Sequence, residues 1–221
     1  MNIKPLVAEF IGTFALIFLG VGSIAMDHMT GGKVGLVGIA LAHGLAIGVM
    51  ASATMAVSGG QFNPAVSIGL WAIKKMTAIQ TVSYIVAQCL GAAAAAFTIK
   101  MALPAEVLSA VNLGTPGLGA GISVSMALVT ETILTFFLVF VICGTAVDSR
   151  APKCGGLFIG LAVAMDVLMG GPVSGAAMNP ARHFGPALLG GGFQNVWIYW
   201  AGPILGAVMA TQVYNRVMKS A

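Results

Sequence analysis

The sequence predicts an all-α membrane protein in which six transmembrane helices and two re-entrant half-helices form an inverted repeat. The first observation behind this fold class is composition: 58% of the 221 residues are hydrophobic and 7% are charged, so long windows are compatible with hydrocarbon. The second is repetition. A phrase at 58–65 returns in altered form at 174–181, and a phrase at 8–18 returns at 130–140.

Six stretches are long and apolar enough to cross a hydrocarbon core of about 30 Å, which takes roughly 20 helical residues. They lie near 5–25, 34–57, 78–99, 122–147, 155–172 and 195–217. The first stretch carries Glu9 and is followed by no cleavage-site pattern, so we expect a retained helix rather than a signal peptide. The span lengths leave no room for a soluble module, and we expect one transmembrane domain over residues 1–221.

Each half of the chain contains three spans, which is an odd number, so the second half must enter the membrane from the opposite side. Residues about 1–99 and 122–221 are therefore predicted to be inverted repeats, related by a pseudo-two-fold axis in the membrane plane. Glu9 and Glu131 occupy equivalent positions in the two repeats. The stretch about 100–121, which is rich in glycine and proline, is expected to be an extracellular connection between them.

The cationic residues fall mainly on one side of the membrane if the spans alternate. That side carries Lys4, Lys74, Lys75, Arg150, Lys153, Arg216 and Lys219, and the other side carries Lys33 and Lys100. By the positive-inside rule, both termini are expected in the cytoplasm. The plasma membrane is the expected location. The net charge of +4 is thus explained by orientation, and a nucleic-acid partner is not expected.

The three cysteines, Cys89, Cys143 and Cys154, have no metal-ligand spacing, and two of them lie within predicted spans. A disulfide framework is not expected, and neither a metal ion nor an organic cofactor is predicted.

The tripeptide Asn-Pro-Ala occurs twice, as Asn63, Pro64 and Ala65 and as Asn179, Pro180 and Ala181. Proline suits the first helical position because it lacks an N–H and its φ is already near the helical value. Asparagine before it suits the N-cap, which leaves its amide NH₂ free to point elsewhere. A single copy would be a capped helix start in a loop. Two copies in inverted repeats predict half-helices that meet near mid-membrane.

Non-helical segments lead into both half-helices. They are Gly59, Gly60, Gln61 and Phe62 before the first, and Gly175, Ala176, Ala177 and Met178 before the second. Backbone carbonyls at membrane depth need a wet cavity, so these residues are predicted to form a carbonyl ladder along a lumen. Two asparagine donors and two positive helix ends at the centre would force a permeating molecule to accept hydrogen bonds, which interrupts a proton wire and penalises cations.

The chain resembles the aquaporins, the major intrinsic protein family, over essentially its whole length. The resemblance is carried by residues 8–13, 58–66, 130–132 and 179–182. It implies six tilted helices plus two half-helices, one pore per subunit, and a homotetramer. The expected function is a passive channel that conducts water and excludes protons and ions, with ammonia or other small neutral solutes as further candidates. Neither enzymatic activity nor a cofactor is implied.

The resemblance also implies a selectivity filter made of His43, Val167, Ala176 and Arg182. Arg182 follows Asn179 by three residues, so one helical turn sets both on the same face. An arginine at membrane depth is functional by default, and the alternative is snorkelling to the interface. This set of four is similar to that of the plant tonoplast-type subgroup. His183 stands directly after the arginine, where glycerol-conducting members usually carry aspartate, so glycerol is disfavoured.

Two hypotheses apply to the intramembrane acids Glu9 and Glu131. Each could be a proton-relay carboxylate, or each could accept hydrogen bonds from backbone N–H groups of the re-entrant loops, as the resemblance implies. The second hypothesis makes them structural buried acids. Asp166, next to Val167, has no role that the sequence reveals.

Three alternatives to a water channel stay open at this stage. One is a broader facilitator of neutral solutes such as ammonia, urea and glycerol. Another is an ion-coupled secondary transporter, which shares inverted repeats and broken helices but needs a mobile acid at its substrate site. The last is a mainly structural protein that uses tetramers for adhesion.

Overall fold

The computed structural model describes residues 3–151 and 154–218, and within these ranges it is helical and contains no strands. The all-α fold class is therefore confirmed. The α-helices are α1 (Lys4–Met29), α2 (Gly35–Ser58), α3 (Pro64–Ala72), α4 (Ala78–Ala102), α5 (Ala105–Ala110), α6 (Val124–Ile142), α7 (Gly155–Ser174), α8 (Pro180–Gly190) and α9 (Ile198–Val213). Lys153 and Lys219, two of the cations used above for orientation, lie outside the described residues.

Five helical segments of the described chain are long and apolar enough to cross a membrane, and they correspond to the first five predicted spans. The fourth of these combines α6 with a π-helical turn over Cys143–Val147. The sixth predicted span corresponds to α9, which has 16 residues and continues as a π-helical turn over Tyr214–Met218. The predicted boundaries agree with the helices to within a few residues.

The two half-helices are α3, with 9 residues, and α8, with 11. Both begin at the proline of an Asn-Pro-Ala motif, after an asparagine with extended backbone. Each is packed against a long helix from the other half of the chain: α3 lies mainly against α9, and α8 lies mainly against α4. The two halves of the chain are therefore interlocked through their half-helices.

The helices that precede the half-helices end in the same way. Both α2 and α7 stop at a glycine in the left-handed conformation, Gly59 with φ 89° and Gly175 with φ 81°. Glycine adopts this backbone conformation without the steric cost that other residues meet. The chain can therefore leave each long helix abruptly and turn back into the protein.

Helices α2 and α7 pack against each other through very small residues. A Cβ atom at Gly44 would lie 2.5 Å from the carbonyl oxygen of Gly160 and 2.8 Å from the Cβ of Ala164. Contact this close lets the two backbones touch, which suits a membrane, where packing rather than the hydrophobic effect holds helices together.

The connection between the halves contains structure that the sequence did not reveal. It forms the short helix α5 and then a turn in which Asn112, Leu113 and Gly114 have φ values of 47°, 50° and 61°. Leu113 is buried, and a Cβ at Gly114 would lie 3.0 Å from a methyl group of Val21. The turn is thus folded onto the helices at this end of the protein, which we call the outer end.

At the opposite end, which we call the inner end, Asp148 and Arg150 form an ion pair. The buried carboxylate of Asp148 accepts hydrogen bonds from Arg150 Nη2 at 2.7 Å and from the hydroxyl of Tyr214 at 3.1 Å. The hydrogen bonds from Arg150 hold the pKa of the Asp148 carboxyl below its usual range. Arg150 also donates to the carbonyl of Met218, so the turn after α6 is joined to the end of α9.

The Gly44 contact can be tested by adding one methyl group. We expect Gly44→Ala to destabilise the protein by about 1–3 kcal/mol, the usual cost of overpacking, because the new Cβ has no room against Gly160. The matched control is Gly22→Ala, since a Cβ at Gly22 would meet nothing within 4 Å. Thermal unfolding in detergent should show a lower midpoint for Gly44→Ala alone, and equal midpoints would contradict the packing argument.

Candidate functional site

The two half-helices begin next to each other and are joined by reciprocal hydrogen bonds. Asn63 Nδ2 donates to the carbonyl oxygen of Met178, and Asn179 Nδ2 donates to that of Phe62, each at 2.8 Å. Each asparagine therefore reaches across to the segment that leads into the other half-helix. One N–H of each amide is used in this way, and one remains on each side chain.

The same two side chains also cap their own half-helices. Asn63 Oδ1 accepts from the backbone N–H of Ala65 at 2.9 Å, and Asn179 Oδ1 accepts from that of Ala181 at 3.0 Å. Because the oxygen of each amide is engaged in capping, what each asparagine can still offer to a third group is an N–H. The centre of the site therefore presents donors.

Glu131 binds the segment before α8. Its carboxylate accepts from Ser174 Oγ at 2.6 Å, from the N–H of Ala177 at 2.9 Å and from the N–H of Met178 at 2.6 Å. Ser174 is held in turn by Tyr199, whose hydroxyl donates to the Ser174 carbonyl at 2.9 Å. The carboxylate is fully buried and fixed by these donors.

Glu9 makes the equivalent contacts before α3, with one addition. It accepts from Ser58 Oγ at 2.6 Å, from the N–H of Gln61 at 3.0 Å and from the N–H of Phe62 at 2.6 Å. The addition is Gln88, whose Nε2 donates to it at 2.8 Å. A buried carboxylate with four donors has no freedom to move toward another partner.

These contacts explain an unusual backbone. Phe62 and Met178 have φ values of 52° and 51°, in the left-handed region that bulky residues avoid. In each case the N–H is held by a buried glutamate and the carbonyl by the asparagine from the other half. A conformation that costs about 1–3 kcal/mol persists because the surroundings specify both sides of the peptide.

A narrow cavity of about 30 Å³ runs past the paired asparagines. Because one water needs roughly 10–15 Å³ by this measure, the cavity holds only a few waters. Its lining is mostly apolar, with polar contributions from His43, Gln61, Asn63, Asn179 and Arg182. Of the predicted ladder, Gly60, Gln61, Ala176, Ala177 and Met178 line the cavity, whereas Gly59, Phe62 and Gly175 are not among its lining residues.

The four predicted filter residues all line this same cavity. Arg182 is buried and donates from Nη1 to the carbonyl of Gly114 at 2.8 Å and from Nε to His43 Nε2 at 3.3 Å. The other ring nitrogen of His43 lies 2.9 Å from the carbonyl of Ile39. A neutral imidazole protonated on Nδ1 satisfies both contacts, so both nitrogens of His43 are engaged within the protein.

Several contributors to the site were not singled out from the sequence. Ser58 and Ser174 could have been found, because both open the repeated phrase at the same offset and both bind a glutamate. Gly114 contributes a backbone carbonyl, which every residue has, so no sequence signal identifies it. Gly20 makes room for His43, since a Cβ there would lie 2.5 Å from His43 Nε2.

Two polar residues of the second half lie outside the cavity lining. Asp166 is buried, and its Oδ2 has no hydrogen-bond partner among the described residues. His183 is fully buried and stacks on Tyr199, with ring centroids 4.2 Å apart and an interplanar angle of 14°. Neither residue therefore contacts the cavity directly.

Half-helices that meet at a narrow cavity within a bundle of membrane-spanning helices define a membrane channel. The chain belongs to the major intrinsic protein family, whose model matches residues 1–214. Members of this family are channels and not enzymes, so the expectations of a passive channel for water and small solutes, and of no enzymatic activity, are confirmed.

Named relatives and one solved structure agree with this assignment. The chain is 42% identical to aquaporin TIP4-4 of Zea mays, and the match covers 96% of this chain and 86% of the Zea mays protein. It is 40% identical to aquaporin NIP1-1 of Oryza sativa subsp. japonica, over 97% of this chain and 74% of that one. An aquaglyceroporin structure from Plasmodium falciparum superposes with a TM-score of 0.88 at 28% identity, covering 99% of this chain and 97% of that chain. The similarity to TIP-type aquaporins matches the expected tonoplast-type subgroup.

The role of Glu131 as a hydrogen-bond acceptor can be tested by replacing its carboxylate with an amide. We expect Glu131→Gln to lower both thermal stability and water flux, because an amide NH₂ would face the N–H of Ala177 or Met178 and leave it without an acceptor. The loss should be about 1–3 kcal/mol of stability. Glu106→Gln, at an exposed acid in α5, is the control and should change neither quantity. A Glu131→Gln protein as stable and as conductive as the wild type would contradict this role.

Proposed function

We propose that the chain conducts water through the narrow cavity between its half-helices while excluding protons and ions. The observation that carries this proposal is the reciprocal pair of Asn63 and Asn179, which leaves one amide N–H of each available beside the cavity. Each asparagine also caps a helix N-terminus, so two partial positive charges lie at the same depth.

The proposed exclusion of protons follows from donors at the centre. A water molecule held through its oxygen by both amides must turn its hydrogens outward, toward the waters on either side. Waters in the two arms of the cavity then point in opposite directions, which interrupts a continuous proton wire. The carbonyls of Gly60, Ala176 and Ala177 are proposed as acceptors along these arms, since these residues line the cavity.

Arg182, His43, Val167 and Ala176 are proposed as the selectivity filter. Arg182 supplies a fixed positive charge beside the cavity, which repels cations and donates to water. Within this set, His43 is proposed to act through Arg182. Both of its nitrogens are engaged, so we propose that it positions Arg182 rather than exchanging hydrogen bonds with solutes.

We propose that Glu9 and Glu131 are structural acids. Each is held by backbone N–H groups and a serine hydroxyl, which distinguishes them from the mobile acid that an ion-coupled transporter needs at its substrate site. Family membership likewise favours a passive channel over a transporter or an adhesion protein.

Ammonia is proposed as a second solute. The observation that favours ammonia is that Val167, which lines the same cavity as Arg182, is apolar and offers no side-chain hydrogen bond there. Neutral ammonia accepts hydrogen bonds as water does, whereas ammonium meets the charge of Arg182. Urea and glycerol are larger, and His183 after the arginine does not follow the pattern of glycerol conductors.

The remaining proposals concern assembly and location. We infer that residues about 1–99 and 122–221 form inverted repeats of one domain, supported by the equivalent contacts of Glu9 and Glu131. A homotetramer in a lipid bilayer with both termini in the cytoplasm is proposed. Imaging of a tagged chain tests the location: a signal at the plasma membrane would support the expectation from the sequence, and a signal at an internal membrane would agree with the similarity to TIP-type relatives.

The proposed function is tested by osmotic shrinkage of liposomes that contain the purified protein. Shrinkage should be faster than in empty liposomes and have a low activation energy, because water stays hydrogen-bonded through the narrow cavity. Proton permeability, measured with an internal dye, should stay near that of empty liposomes. Shrinkage no faster than in empty liposomes would contradict the proposal.

The proposal for ammonia is tested by an ammonium pulse on the same liposomes. The rate of internal alkalinisation should rise with pH if the neutral species passes through the channel.

The role of Arg182 is tested by removing its charge. We expect Arg182→Val to raise the leak of protons or small cations about tenfold or more while water still flows, since one buried charge is worth several times RT as a barrier. Arg216→Val, at an exposed arginine of the inner end, is the matched control and should leave the leak unchanged. If Arg182→Val leaks no more than this control, the filter assignment fails.

A further inference from the structure

We propose that the side chain of Gln61 is a further polar contact for permeating water, on the inner side of the paired asparagines, and that Ser67 and Gln88 hold it in place. Gln61 lines the cavity and is only partly buried. The other polar side chains that line it belong to the central asparagines and to the outer pair of His43 and Arg182. The inference rests on the proposed function, because it concerns water in the same lumen.

Gln61 lies on the inner side because of the segment that carries it. Residues 59–62 lead from the inner end of α2 to the start of α3. The Gln61 amide nitrogen lies 3.2 Å from the sulfur of Met76, in the turn that joins α3 to α4. The same turn contains Lys75, which lines a small pocket with Asp148 and Tyr214 of the inner end.

The orientation of the amide is fixed by its oxygen. Ser67 Oγ donates to Gln61 Oε1 at 2.5 Å. Since the oxygen is engaged within the protein, the amide turns its NH₂ group away from Ser67. One N–H of this group reaches Met76, whose sulfur is a weak acceptor, and the other is available to water.

The serine is itself held by the buried acid of the first half. Gln88 Nε2 donates to Ser67 Oγ at 3.1 Å and to Glu9 Oε2 at 2.8 Å. Ser67, Gln88 and Glu9 are all fully buried, so this chain of hydrogen bonds is shielded from water until it reaches Gln61. The carboxylate that fixes the backbone before α3 therefore also orients a side chain toward the cavity.

The second half has no such chain. The positions equivalent to Gln61, Ser67 and Gln88 carry Ala177, His183 and Pro203. Alanine has no polar group, His183 stacks on Tyr199, and proline has no side-chain donor. The outer arm has the charge of Arg182, and in the inner arm Gln61 supplies an uncharged donor in its place.

A donor on the inner side agrees with the water orientation imposed at the centre. Waters in the inner arm turn their oxygens toward the asparagines and their hydrogens toward the inner end. An N–H from Gln61 binds such a water through its oxygen without reversing it. The contact replaces part of the hydration that water loses on entering the cavity.

The first measurement compares Gln61→Met with Gln194→Met in liposomes. Methionine keeps the length of the side chain and removes the amide, so water flux per channel should fall about two- to tenfold, the range that corresponds to one hydrogen bond of ordinary net strength. Gln194 is exposed at the outer end, and its variant should conduct like the wild type. Ser67→Ala keeps Gln61 and removes its anchor, so its flux should fall by less than that of Gln61→Met.

The second measurement tests whether position 61 faces the lumen. None of Cys89, Cys143 and Cys154 lines the cavity, so wild-type flux should resist a mercurial reagent, and Gln61→Cys should become sensitive. Gln194→Cys should stay resistant. Thermal unfolding of each variant separates a loss of folded channels from a loss of conductance.

The inference and the proposed function fail in different ways. If the wild type conducts water but Gln61→Met has wild-type flux and Gln61→Cys resists the mercurial, Gln61 is only part of the wall and the inference is wrong. If the wild type itself shrinks no faster than empty liposomes, the proposed function fails first.

Discussion

The structure depends on satisfying irregular backbone inside a bundle of membrane-spanning helices, where lipid offers no hydrogen-bond partners. Two segments leave the helical conformation there, and both are secured by the same pair of interactions: a buried glutamate accepts their N–H groups, and an asparagine from the other half donates to their carbonyls. Without these contacts the left-handed peptides at Phe62 and Met178 would be strained and their polar groups unpaired.

The same interactions decide what the cavity offers to a permeating molecule. Each asparagine has its oxygen engaged in capping, so N–H groups are what it can present. At the outer end the carbonyl of Gly114 and the ring of His43 fix the guanidinium of Arg182 beside the cavity. Hydrogen bonds within the protein therefore orient these polar groups before a water molecule enters, and the water meets donors whose positions are already set.

Much of the fold and part of the site could be predicted because they rest on local chemistry. Proline at the first helical position and asparagine at the cap identify both half-helices, and long apolar stretches identify the spans. The sequence repeat also predicts that Glu9 and Glu131 occupy equivalent positions in the two halves. In contrast, the packing of α5 against α1, the contact of Gly114 with Arg182 and the contact of His43 with Arg182 join segments that are far apart in the chain, and no local pattern encodes them.

The class of protein, the starts of both half-helices and the polar residues that line the cavity could be predicted before folding was considered, because helix starts and hydropathy follow from short-range rules. Which of these polar groups can still bind water could not be predicted in this way. The imidazole of His43 is engaged on both sides, the amide of Gln61 is turned by Ser67, and Phe62 lies outside the cavity lining. A side chain's remaining donors and acceptors depend on all its neighbours, and those neighbours are brought together only by folding.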